Sequence, residues 1–106
     1  MNSAIPVSSL TVGAVEYELR EEVHIYNPDG QRLYGEADHA RLVVRVDPDI
    51  PLMRIKQTLI HEWLHCLETE YHIGLGDNEN LVERLGHAVF AALRDNPELV
   101  AFIIGD

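Results

Sequence analysis

Residues 52–72 constrain the fold more than any other stretch. Ile55, Leu59, Ile60, Trp63, Leu64, Leu67 and Tyr71 recur there at helical spacing. That period predicts one long amphipathic helix with a broad apolar stripe. Both ends are marked. Asp47-Pro48-Asp49-Ile50-Pro51 closes whatever precedes the helix, with Asp49 as the expected N-cap and Pro51 in the first turn. Gly74-Leu75-Gly76 breaks it. A helix of this length with one apolar side requires a second layer to cover that side.

The preceding half of the chain supplies strands. Residues 10–26 are rich in Val, Tyr and Ile with partial alternation through Val15, Tyr17 and Leu19, which reads as one or two strands. Asn27-Pro28-Asp29-Gly30 is a turn, because Pro presets φ and Gly accepts a positive φ. Leu33-Tyr34 forms a short return segment, and Gly35 marks a bend or bulge. Residues 40–46 carry the clearest strand pattern, with Leu42, Val44 and Val46 alternating against Arg41, Val43 and Arg45.

Two more helices follow. Asp77 or Asn78 caps a helix from Glu79 to about Arg94, with Leu81, Val82, Leu85, Val89, Ala92 and Leu93 on its apolar side. Asn96-Pro97 starts a short last helix, residues 98–104. Strands first and helices afterwards predict an α+β fold, with the helices on one face of a small antiparallel sheet. The 106 residues form a single domain, 1–106, with one thin core.

Charge narrows the partners. With 18 acidic and 8 basic residues the net charge is −10, which argues against nucleic acid and anionic membrane, since phosphate binding needs clustered Lys and Arg. The single cysteine, Cys66, permits no internal disulfide and is expected in the core. The residues after Met1 carry neither a basic region nor an apolar leader, and no run approaches 18 apolar residues, so a cytoplasmic location is expected.

Inside the long helix lies His61-Glu62-Trp63-Leu64-His65. Histidines four residues apart stand one above the other on a helix face, where both rings can close on one metal ion. Glu62 sits beside them as the expected general base for a water that the ion acidifies. A catalytic zinc site takes three protein ligands, so one more donor is required. Glu79 and Glu83, one turn apart on the second helix, are the leading candidates. If the two helices run antiparallel, a carboxylate near the start of the second can reach back to the end of the first.

His72 shares the face of His61 and His65 but would lie about 10 Å beyond His65 on a straight helix, too far for one ion. Glu68 is placed to hold a ligand histidine by its other ring nitrogen. His87, one turn past Glu83, could orient a ligand or stabilise an oxyanion, as could Tyr34, His39 or Tyr71. Residues 40–46 offer an extended edge to which a substrate backbone could add as a strand.

With these motifs in view the chain resembles the gluzincin branch of the zincin metallopeptidases, and among them the small phage and prophage proteins related to the ImmA/IrrE family. The resemblance covers about residues 33–98: a strand, then Gln57-Thr58-Leu59-Ile60-His61-Glu62-Trp63-Leu64-His65, then Asp77-Asn78-Glu79-Asn80-Leu81-Val82-Glu83-Arg84-Leu85-Gly86, then residues 93–99. It implies a zincin-like fold with one Zn²⁺ held by two histidines and a glutamate of the following helix. Glu83-Arg84-Leu85-Gly86-His87 fits the third-ligand form E-x-x-A-N, with Gly for Ala and His for Asn. The form E-x-x-x-D fits Glu79, with Glu83 at its last position. The resemblance favours His61, His65 and Glu83 as ligands. It excludes the metzincin pattern, which needs Gly where Glu68 stands and His where Tyr71 stands.

The implied activity is zinc-dependent hydrolysis of a peptide bond in a protein or peptide substrate, with Glu62 as the base. The alternative is a non-catalytic, zinc-stabilised acidic module that binds a host or phage protein.

Overall fold

The computed structural model describes residues 5–75 and 78–105. Gly76 of the expected helix break and Asp77, one of the two expected caps, lie outside the described residues. The element order is β1 (Ser9–Val12), β2 (Val15–Glu21), β3 (Ile25–Tyr26), β4 (Arg32–Leu33), β5 (Gly35–Asp38), β6 (Val43–Val46), α1 (Leu52–Glu70), α2 (Glu79–Asp95) and α3 (Pro97–Ile104). Among the described residues the result is a small α+β fold with a mixed sheet and three helices.

Four strands form the main sheet in the order β1-β2-β6-β5, and β3 with β4 makes a separate two-stranded ribbon. The wholly antiparallel sheet expected from the sequence is corrected here. β1 and β2 form a hairpin and β5 pairs antiparallel with β6, but β2 and β6 run parallel, with Leu19 opposite Val44. The β3–β4 ribbon and β5 lie within the connection between β2 and β6, which carries the chain back so that β6 enters in the direction of β2.

Residues 40–46 are not one strand. The chain turns at His39–Leu42, where the Arg41 N–H donates to Asp38 Oδ1 at 3.1 Å and Leu42 takes a φ of 57°. Only Val43–Val46 is extended, and it is an interior strand between β2 and β5. The exposed edge on this side of the sheet is β5.

Alternation along β2 turns Tyr17 and Leu19 inward and leaves Glu16, Glu18 and Arg20 exposed. Tyr17, Leu19, Val12, Val44 and Val46 pack against Ile55 and Cys66 of α1 to form the core. Cys66 is fully buried, as expected. α2 packs on α1, and α3 on α2.

The helix ends follow local chemistry with two departures. Asn78 caps α2 by accepting from the Leu81 N–H at 3.0 Å. α1, in contrast, has no side-chain cap; Pro51 holds the N-cap position and Asp49 does not. α1 stops at Glu70, before the expected glycine break. His72 adopts a φ of 56°, and the Ile73 N–H donates to the Glu68 carbonyl at 2.9 Å, the 6→1 bond of a Schellman ending.

Asp47 is the buried acid that ties the loops together. Its carboxylate accepts from the Asp49 N–H at 2.8 Å, from the His24 N–H at 3.3 Å and from the Arg32 guanidinium at 2.7 Å. This fastens β4, and with it the start of β5, to the entry of α1. Among the described residues no helix is long and apolar enough to cross a membrane.

Candidate metal centre

α1 carries Arg54, Thr58, His61 and His65 along one face at helical spacing. α2 carries Glu79, Glu83 and His87 in the same way. These two faces and the segment from Arg32 to Ala37 enclose an open cleft of about 1000 Å³. Its wall on the sheet side is the free edge of β5.

Three donor atoms converge in this cleft. His61 Nε2 lies 2.5 Å from Glu79 Oε1, His65 Nε2 lies 3.0 Å from the same oxygen, and the two nitrogens are 3.2 Å apart. One atom from each of His61, His65 and Glu79 thus falls in a triangle that could hold a metal ion. Tetrahedral zinc with bonds near 2.0–2.1 Å places its ligands about 3.3 Å apart. The triangle needs to open by less than about 1 Å to match, which is within the reach of the exposed Glu79 side chain.

Glu79, not Glu83, therefore joins the histidines. Glu83 lines the cleft one turn further along α2 but contributes no atom to the triangle. The slide of α2 along α1 decides this. The two helices meet at buried Gly86, where a built Cβ would lie in ordinary contact, 3.8 Å from the Cα of His61 and 3.6 Å from Leu64. Motif spacing along α2 contains no information about that slide. His72 and Glu68 do not join the triangle either, and Glu68 Oε2 is buried without a hydrogen-bond partner rather than bonded to a histidine ring.

Glu62 sits beside the triangle and is buried, with 7% of its surface exposed. Burial pushes its carboxyl up to about 7; His65 pulls against this, while Glu79 and Glu36 add to it. Room for Glu62 comes from Gly35, the first residue of β5. A Cβ at Gly35 would meet Thr58 Cγ2 at 2.6 Å, the Arg45 carbonyl oxygen at 3.0 Å and Glu62 Cγ at 3.3 Å. Burial also raises the Glu79 carboxyl, but hydrogen bonds and charge from His65 and His61 outweigh it and hold the group below its ordinary value.

The remaining polar groups divide. Tyr34, His39 and His87 line the cleft. Tyr71 does not; its hydroxyl lies 3.3 Å from a Cβ built on Gly13, away from the site. Tyr17 donates its O–H to Glu70 Oε2 at 2.9 Å and lies 3.0 Å from His39 Nδ1. With that proton committed, the Tyr17 oxygen is left to accept from His39 Nδ1–H. Arg54, Gln57, Thr58 and Glu36 were missed from the sequence. Arg54 and Thr58 stand seven and three residues before His61 and could have been placed by helical spacing alone. Glu36 carried no such signal, because its placement depends on β5 pairing with β6.

No family model, no curated protein and no solved structure matches this chain.

Proposed function

We propose that this protein is a zincin-like metallopeptidase that holds one Zn²⁺ through His61, His65 and Glu79. The observation that carries the reading is the convergence of those three donors beside a buried glutamate, in a cleft whose opposite wall is a free strand edge. Two imidazoles and one carboxylate also suit ferrous iron. Glu62 favours the hydrolytic reading, because a buried carboxylate of near-neutral proton affinity beside the ligands suits proton transfer to and from a metal-activated water.

Bound zinc would supply an acidified water and polarise the scissile carbonyl. The chain's own residues do the rest. The β5 edge offers backbone N–H and C=O groups to an extended peptide and aligns it across the cleft. Glu62 accepts a proton and returns it to the leaving amine, and its value near 7 suits both directions of transfer. Tyr34, Arg54, Gln57 and His87 are among the cleft residues whose N–H or O–H groups can serve the developing oxyanion.

Elemental mass spectrometry combined with a peptide-library digest tests the reading. One zinc per chain, lost in His61→Ala and kept in Glu62→Gln, is expected. Hydrolysis should fall by about 10²–10⁴-fold in Glu62→Gln. Zinc without hydrolysis of any peptide would leave a metal that only fastens α1 to α2, as in an acidic binding module. Iron in place of zinc, without peptide hydrolysis, would overturn the hydrolytic assignment.

A further inference from the structure

The last helix touches α2 but leaves its apolar side chains uncovered by the described residues of its own chain. Leu99, Phe102, Ile103 and Ile104 are 54%, 83%, 67% and 76% exposed, and α3 buries none of its residues. The same molecule carries an apolar groove of about 500 Å³ between α1 and α2, floored by Met53, Leu59, Ile60, Phe90 and Leu93. No residue of α3 lines it. We propose that α3 seats in this groove on a second copy of the chain, so that the protein is a dimer with two reciprocal helix-in-groove contacts.

Three observations select a second copy as the occupant. First, α3 cannot reverse onto its own groove. α2 ends at Asp95 and α3 begins at Pro97, so Asn96 is the whole joint. An antiparallel helical hairpin needs a loop of about 2–5 residues. The Asn96 side chain also donates to the Ala92 carbonyl at 2.9 Å and fixes the corner.

Second, the charges match. The groove is rimmed by Lys56 and Arg94, both exposed, in a chain with only 8 basic residues. α3 carries Glu98 in its first turn and no basic residue. Helix and groove are thus complementary in charge as well as in apolar character, although two copies at −10 each would otherwise repel.

Third, the geometry closes. Leu93 and Arg94 line the groove and α3 departs three residues later, so helix and groove lie at the same end of the molecule. One twofold axis can then satisfy both contacts and close the assembly at two copies. Exposed Leu52 and Met53 extend the apolar surface around the groove.

Sedimentation velocity of the full chain over a dilution series tests this. The wild type should sediment at twice the 12.0 kDa chain mass. Phe102→Asp in the helix and Leu93→Asp in the groove should each weaken self-association by at least ~100-fold. Both side chains are exposed, so circular dichroism should remain that of the wild type. An equimolar mixture of the two variants should recover association, because one intact helix then meets one intact groove. A wild type that is monomeric throughout, an open-ended polymer, a dimer indifferent to Phe102→Asp, or a mixture that fails to recover would each overturn the proposal.

Discussion

Gly35 of β5 and Glu62 of α1 approach so closely that a Cβ on the glycine would stand 3.3 Å from the glutamate Cγ. The candidate base is therefore packed against the strand that would bind substrate. A methyl group at position 35 would also meet Thr58 Cγ2 at 2.6 Å and the Arg45 carbonyl at 3.0 Å. Gly35→Ala should destabilise the protein by about 1–3 kcal/mol through overpacking. Thr58→Ser removes the nearest clashing carbon and should restore part of that loss. Urea unfolding of the two single variants and the double variant measures it; additive losses would show that Thr58 is not the obstacle.

Gly86 also touches α1, with the opposite consequence. Its built Cβ makes only ordinary contacts, 3.6 Å to Leu64 and 3.8 Å to His61 Cα. A glycine inside a helix costs about 1 kcal/mol relative to alanine. Gly86→Ala should therefore raise stability by about 0.5–1 kcal/mol and leave zinc affinity unchanged. A lower melting temperature would mean that α1 and α2 pack more tightly than their contacts indicate.

Glu79 and Glu83 differ in whether an oxygen reaches the histidine triangle. Glu79→Ala should weaken zinc binding by more than the ~10–100-fold that follows loss of an orienting partner, because a ligand itself is removed. Glu83→Ala should change it by less than ~10-fold. Competition with a chromophoric chelator reads both. The reverse ranking would place the third ligand one turn further along α2.

Asp47 makes stability depend on acid. Burial raises its carboxyl, but the Arg32 guanidinium and the Asp49 and His24 N–H groups outweigh burial and leave it below the ordinary value of 3.8. A depressed carboxyl contributes stability that is fully present above its unfolded value and is lost as pH falls through the folded one. Wild type should exceed Asp47→Asn by about 1–3 kcal/mol at neutral pH. The gap should close as pH falls below 3.8. Denaturant melts across that range test it; a gap constant with pH would mean that the carboxylate's charge plays no part.

Local structure was legible in the sequence, and the placement of one element against another was not. The three helices fall within about two residues of where periodicity and capping put them, because a 3.6-residue apolar repeat and a side chain such as Asn78 act over a few residues. The shared face of His61 and His65 follows from helix geometry alone. Some local features still escaped. His72 and Leu42 adopt positive φ without the Gly or Asn that marks such positions, so the end of α1 and the β5–β6 turn carried no signal.

Tertiary structure decided the rest. Parallel pairing of β2 with β6 joins strands separated by more than twenty residues, and alternation within each strand is the same for either direction. That pairing moves β6 to the interior and leaves β5 as the edge beside the cleft. The choice of Glu79 over Glu83 rests on how far α2 slides along α1, the two helices meeting with Gly86 against His61 and Leu64. The sequence by itself determined which side chains share a helix face. Only packing between helices, a sum of many weak contacts distant along the chain, determined which glutamate reaches the histidines.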